Sequence, residues 1–107
     1  MKDEILEITE NIQDGICRFM AKGRIDSNSA DILFYRLEGA IKNRQKDIIL
    51  NMSKIEYISS AGIMIILKIY KQAAEIGGKF NIEHPSEFVR NILEMVALKE
   101  KLVLKQP

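Results

Sequence analysis

Little in this 107-residue chain lends itself to a metal or redox centre, for it has one cysteine, Cys17, and one histidine, His84. A lone cysteine in an apolar stretch excludes an internal disulfide, leaves no thiol pair for zinc, and suits a reducing compartment. Charge of one sign is missing too: sixteen basic against fifteen acidic residues leave a formal net charge of +1. Such a balance gives no long-range field to recruit nucleic acid or anionic lipid. The N-terminus, Met1-Lys2-Asp3-Glu4, begins acidic instead of basic and then apolar, unlike an export signal, and no apolar run approaches the roughly 20 residues of a membrane span. The expectation is a cytoplasmic protein with no direct membrane insertion. Proline is scarce, with two residues, and tryptophan is absent. What remains is enough for one core, since a chain of this size buries roughly 60–70% of its unfolded surface without metals or disulfides. Residues 1–107 are therefore expected to be a single domain.

Hydrophobic periodicity orders the elements. Residues 4–10 and 16–22 read as strands joined by Asn11-Ile12-Gln13-Asp14-Gly15, whose Asp-Gly end signals an antiparallel hairpin. After Gly23, the cap-rich string Asp26-Ser27-Asn28-Ser29 precedes Ala30, Leu33, Phe34, Leu37, Ala40 and Ile41 at helical spacing. Asp47 to Met52 is a continuous apolar strand, and Ser60 to Ile76 is a second helix closed by Gly77-Gly78. Phe80 to Glu83 reads as a strand, Pro85-Ser86-Glu87 opens a third helix, and Leu102-Val103-Leu104 is read as a terminal edge strand. The order ββαβαβαβ predicts an α/β domain: an antiparallel hairpin, then parallel strands joined by right-handed helical crossovers. Gly39, late in the first helix, costs about 1 kcal/mol relative to alanine and reads as a close helix-to-sheet approach.

Ser59-Ser60-Ala61-Gly62 is the most informative stretch. It sets two small hydroxyl residues at a helix start, over backbone N–H groups that lack intrahelical partners. Caps alone would account for both serines. A phosphate there would also be tolerated, because it adds roughly −1.5 to −2 charges at the end of the helix that favours anions. Placed at about 100° intervals, Ile63, Ile66, Leu67, Ile69, Tyr70, Ala73 and Ala74 form one face of this helix, and Lys68, Lys71, Gln72 and Glu75 the other. Met64 falls among the charged residues one turn beyond Ser60, flanked by Ile65, and an unbranched thioether suits an adaptable contact surface. Lys68 and Lys71 either meet an acidic partner patch or solubilise the helix. Tyr35, beside Phe34, is read as a partly covered helix residue, with a second interface as the alternative.

Four pieces taken in order resemble the STAS domain of bacterial anti-sigma-factor antagonists. They are Gly23-Arg24-Ile25-Asp26, Tyr57-Ile58-Ser59-Ser60-Ala61-Gly62, Ile76-Gly77-Gly78-Lys79 and His84-Pro85-Ser86-Glu87-Phe88-Val89. The resemblance spans nearly the whole chain and implies a small mixed sheet with helices packed on one side. It further implies a non-enzymatic switch in which the serine two residues before the glycine, Ser60 here, accepts phosphate. Where the family often has Asp-Ser-Ser-Gly, this chain has the uncharged Ser59 and, at the second hydroxyl, Ala61. The implied partners are an anti-sigma factor with serine-kinase activity, held by the unphosphorylated form, and a metal-dependent serine phosphatase; ATP and metal would belong to them, and the domain itself needs no cofactor. By the same resemblance Asp26, Ser27 and Asn28, otherwise simple helix-start residues, join Ser59, Ala61, Gly62, Met64, Ile65 and Lys68 as candidate partner-binding residues. The alternative is a STAS subunit of a cytoplasmic membrane-transport ATPase complex, without a serine switch.

Catalysis and nucleic-acid binding find little support in the residues. No G-x-S-x-G elbow, P-loop or pair of histidine or cysteine residues at ligand spacing is present. Ser60 would need His84 as its base, expected at the same edge of a parallel sheet, and His84 before Pro85 reads more simply as a loop or cap residue. Lys42, Arg44 and Lys46 cluster near the end of the first helix, where positive charge suits the dipole, and no aromatics interleave with them.

Overall fold

Alternating apolar residues build one packed face. In the computed structural model, which describes residues 6–99, Leu6–Gln13 (β1) and Ile16–Ile25 (β2) pair antiparallel, while Asp47–Ile58 (β3) and Lys79–Glu83 (β4) extend the sheet in parallel. The strand order is β1-β2-β3-β4. Helices Ala30–Lys42 (α1), Ser60–Glu75 (α2) and Glu87–Lys99 (α3) complete the order ββαβαβα. The expected terminal strand, Leu102-Val103-Leu104, lies outside the described residues.

The register aligns Cys17, Ile48 and Phe80 in one row across the sheet and Phe19, Leu50 and Ile82 in the next. All six are buried, and they share a single core with Leu33 and Leu37 of α1, Ile66 and Ile69 of α2, and Val89 and Leu93 of α3. The three helices thus lie on one side of the sheet. The opposite face is polar: Arg18 pairs with Glu83 at 3.0 Å, and Asn51 Nδ2 donates to the same carboxylate at 3.3 Å. Fully burying one large apolar side chain contributes about 1.5–3 kcal/mol, whereas an exposed ion pair contributes about 0–1 kcal/mol. Packing therefore decides which face the helices cover.

Two strands are longer than their patterns predict. β1 continues to Gln13 and leaves a two-residue turn, Asp14-Gly15, with φ of +55° and +80°, the mirror-image turn that matches strand twist. Asn11, Ile12 and Gln13 are all exposed, so backbone pairing extends there with no alternation to announce it. β3 runs on past Met52 to Ile58. Register shifts between Met20 and Lys22 and between Gly23 and Arg24 alter the period, and Met52, Ile55 and Ile58, three apart, all point into the core. A bulged strand with period three escapes a search for period two.

The helix ends follow their chemistry. Gly77, at φ +73°, takes the left-handed conformation after α2, and the N–H groups of Gly77 and Gly78 reach the carbonyls of Ala74 and Ala73 at 3.0 and 2.8 Å. In α2, Ile63, Ile66, Leu67, Ile69 and Ala73 are buried as expected. Tyr70 is half-buried with its ring edge-on to Phe80 at 4.8 Å, and Ala74 is exposed.

The close approach expected at Gly39 does not exist, since a Cβ built there meets no atom within 4 Å. Gly39 therefore keeps the entropic cost of glycine in a helix with no packing inside the molecule to offset it. Gly39→Ala is expected to raise stability by about 0.5–1 kcal/mol in urea unfolding; a loss of stability would mean that something occupies this space.

Candidate functional site

Two loops meet at the carboxyl ends of β2 and β3. Ser59, in extended conformation, donates its backbone N–H to the carbonyl of Ile25 at 2.8 Å. Its Oγ accepts from the N–H of Gly62 at 3.2 Å, and its carbonyl takes the first helical bond, from Ile63, at 3.0 Å. Ser59 thus caps α2, and Ser60 stands exposed as the first helical residue. The first turn of α2 holds no acidic residue. Gly62 is buried beneath it, where a Cβ would lie 2.6 Å from Ile25 Cγ2 and 2.7 Å from Ile58 Cγ1. Only glycine lets the helix start sit this close to the two strand ends.

The facing loop is ordered around Asp26. Its Oδ1 accepts from the N–H groups of Asn28 at 2.9 Å and Ser29 at 3.0 Å, and its carbonyl accepts from Ala30 N–H at 2.8 Å. Asp26 accordingly caps the turn that leads into α1, as its residue type suggests. The Ser29 N–H above all holds the carboxyl below its ordinary 3.8; desolvation, the next largest effect, opposes it, and the Asn28 N–H, the Ser29 hydroxyl and the charge of Arg24 add to the lowering. Ser29 is the buried member: its Oγ donates to the Arg24 carbonyl at 2.7 Å and accepts from the Asp26 N–H at 2.9 Å.

Asp26, Ser27, Asn28, Ser59 and Ser60 are brought together by the Ser59–Ile25 bond, with Met64 one turn further along α2. Ser27, Asn28 and Met64 are exposed, Met64 at 51%. Ala61 is half-buried and Gly62 buried, so they shape the site from beneath. Ile65 is buried instead of flanking Met64 at the surface, because this part of α2 is covered beyond a single stripe. Lys68 lies with Nζ 5.5 Å from the centre of the Phe34 ring, tied to α1. His84 is not near Ser60. The register sets Glu83 beside Asn51, and from Asn51 to Ile58 the strand advances on the order of 20 Å at about 3.3 Å per residue. The shared edge expected for a serine–histidine pair is lost because β3 outruns β4.

Three contributors have structural roles that the sequence does not single out. Ser29 is the buried hub of its loop, indistinguishable in sequence from the other cap-type residues around it. Arg24 and Tyr57 are paired in register at the strand ends, with the guanidinium 4.4 Å from the ring centre; the signal was there, since each precedes a strand-ending isoleucine, but it depends on knowing that β3 reaches Ile58. Among the described residues no group of three histidine, cysteine, aspartate or glutamate residues could hold a metal, and no helix is long and apolar enough to cross a membrane.

Comparison with known proteins agrees on one family. The model of the STAS domain matches residues 7–106. An anti-sigma F factor antagonist of Paenibacillus polymyxa is 26% identical over 94 residues, covering 87% of this chain and 80% of the relative. The crystal structure of an anti-sigma factor antagonist from Mycobacterium paratuberculosis superposes with a TM-score of 0.80 at 17% identity, covering 95% of this chain and 86% of that one. The Bacillus cell fate determinant SpoIIAA in its phosphorylated form gives a TM-score of 0.73 at 15% identity, covering 94% and 92%.

Two measurements check the joint between the loops. Gly62→Ala should lower stability by about 1–3 kcal/mol in urea unfolding, since stiff isoleucine side chains must move to admit the methyl; an unchanged midpoint would refute the close packing. For Asp26, whose carboxyl sits below its ordinary value, the contribution to stability is present above about pH 4 and is lost as pH falls through the folded value. Asp26→Asn should therefore flatten the acid limb of stability against pH, and an unaltered acid limb would contradict this assignment.

Proposed function

The chain belongs to the STAS domain family, and from that membership we propose that it is an anti-sigma-factor antagonist whose docking is switched off by phosphorylation of Ser60. The observation that carries the reading is the division of labour between the two serines. Ser59 makes the cap bond to Gly62 and the backbone bond to Ile25, while Ser60 beside it is exposed. A kinase can reach the second hydroxyl without unmaking the helix start. The name of the Paenibacillus relative supports the antagonist role.

Unphosphorylated, the domain docks through the Asp26–Asn28 loop, the Ser59–Gly62 turn and Met64, with Lys68 at the border and Ile65 supporting from below. The partner is an anti-sigma factor with serine-kinase activity, and a metal-dependent serine phosphatase restores the hydroxyl. The physics favours a switch that spares the fold. A phosphate at the first helical position gains about 0.3–1 kcal/mol from the helix dipole, so the domain alone carries it readily. Against a partner the same charge is desolvated without a matching cation, at a cost of about 3–5 kcal/mol, or from roughly one hundredfold to several thousandfold in affinity.

Affinity capture from the native cell with wild type, Ser60→Ala and Ser60→Asp tests the reading. Wild type and Ser60→Ala should retain the same anti-sigma factor, and Ser60→Asp should lose it, with a titrated affinity at least about tenfold weaker. Equal retention by all three would remove the switch, and capture of a membrane-transport ATPase in place of an anti-sigma factor would remove the antagonist role.

A further inference from the structure

Helix α1 carries a second apolar stripe that the proposed site does not use. Ala30, Leu33, Leu37, Ala40 and Ile41 face the core. Ile32, Tyr35, Gly39 and Lys42 fall at successive three- and four-residue steps on roughly the opposite side, the spacing of a helix–helix seam. Ile32 is 54% and Tyr35 66% exposed, and the Tyr35 ring is braced edge-on by Phe34 at 5.8 Å. Gly39 adds a hollow to the same stripe, with nothing within 4 Å of where its Cβ would be.

We propose that this stripe is a self-association surface, on which α1 of a second copy of this chain packs antiparallel about a two-fold axis. The seam is self-complementary in that orientation. Each Tyr35 ring lies in the hollow over the other copy's Gly39, and each Ile32 meets the aliphatic stem of the other copy's Lys42. Asp31 in the first turn and Lys42 in the last turn come face to face twice, once at each end, with the helix dipoles opposed. A parallel arrangement would set Gly39 against Gly39 and Asp31 against Asp31, leaving the hollow empty and like charges together. Lys42 is available for this, since its side chain is 74% exposed and its present contact, Glu38 in the preceding turn, is a loose one at 3.6 Å. That Glu38 carboxylate also takes a hydrogen bond from Gln72 at 3.4 Å, so it keeps a partner if Lys42 turns away. None of Asp26, Ser27, Asn28, Ser59, Ser60, Ala61, Gly62, Met64, Ile65 and Lys68 belongs to the seam.

One face of a helix this short buries less than about 1,200 Å², so the dimer forms at high concentration. Sedimentation velocity on the full chain, from about 10 µM to about 1 mM, should show the average mass rising from one copy toward two. Gly39→Ala should weaken this association by about tenfold while raising the unfolding temperature, opposite signs that misfolding cannot mimic. Tyr35→Ser should abolish it. Asp31→Lys and Lys42→Asp should each weaken it, and the double variant should restore it. A chain that stays monomeric throughout, a dimer indifferent to Gly39→Ala and Tyr35→Ser, or a double charge variant no better than the singles would overturn the proposal.

Discussion

The bond from the Ser59 N–H to the Ile25 carbonyl, 2.8 Å long, is the joint on which the candidate site depends. It binds the end of β3 to the end of β2 where both strands leave the sheet. Around it the chain makes matching choices. Gly62 has no side chain to push the strand ends apart, Ile25 and Ile58 close the core beneath, and Ser29 gathers the following loop onto the carbonyl of Arg24. Remove the joint and the two loops would no longer share a surface, although the rows Cys17–Ile48–Phe80 and Phe19–Leu50–Ile82 would still hold the sheet together.

This arrangement separates what folds from what is presented. The groups that maintain the loops are backbone amides, Ser29, Asp26 and the Ser59 hydroxyl, all engaged with one another. Those offered to solvent are Ser27, Asn28, Ser60 and Met64. A change of charge on the second set leaves the first intact, which is the property a modifiable contact surface needs. Arg24, stacked over Tyr57 at 4.4 Å, borders the site with its cation held on a ring face.

The alternation of Cys17, Phe19 and Ala21, the helical spacing after Ser29, and the glycines after α2 each carried a period or turn chemistry that survived into the fold. What stayed hidden was of two kinds. β1 beyond Glu10 and β3 beyond Met52 are held by backbone pairing and by bulged register, and neither leaves the two-residue alternation of a regular strand in the side chains. Ser29, Ile65 and Gly39 depend on which neighbour arrives from a distant part of the chain: one was buried as a hub, one was covered on a face thought open, and one was left without the neighbour its cost implied. The loops around Ser60 were legible as cap chemistry, but their meeting through Ile25 was not, because no residue type marks a backbone carbonyl that receives a bond from the next strand's end.

The uncharged cap deserves weight in how the site would respond. Ser59 satisfies the Gly62 N–H as a carboxylate would, yet the first turn of α2 carries no acidic residue. Phosphate on Ser60 would therefore enter a turn with no carboxylate of its own to repel it, and the helix dipole would act on the phosphate alone. A charged cap would already have used part of that favourable field and would have made a partner accommodate an anion even in the unmodified state. With Ser59 in its place, the charge carried by the first turn of α2 goes from none to about two negative charges in one step. The contrast between the two states at the contact surface is then set by Ser60 alone, and the residue that holds the helix start takes no part in it.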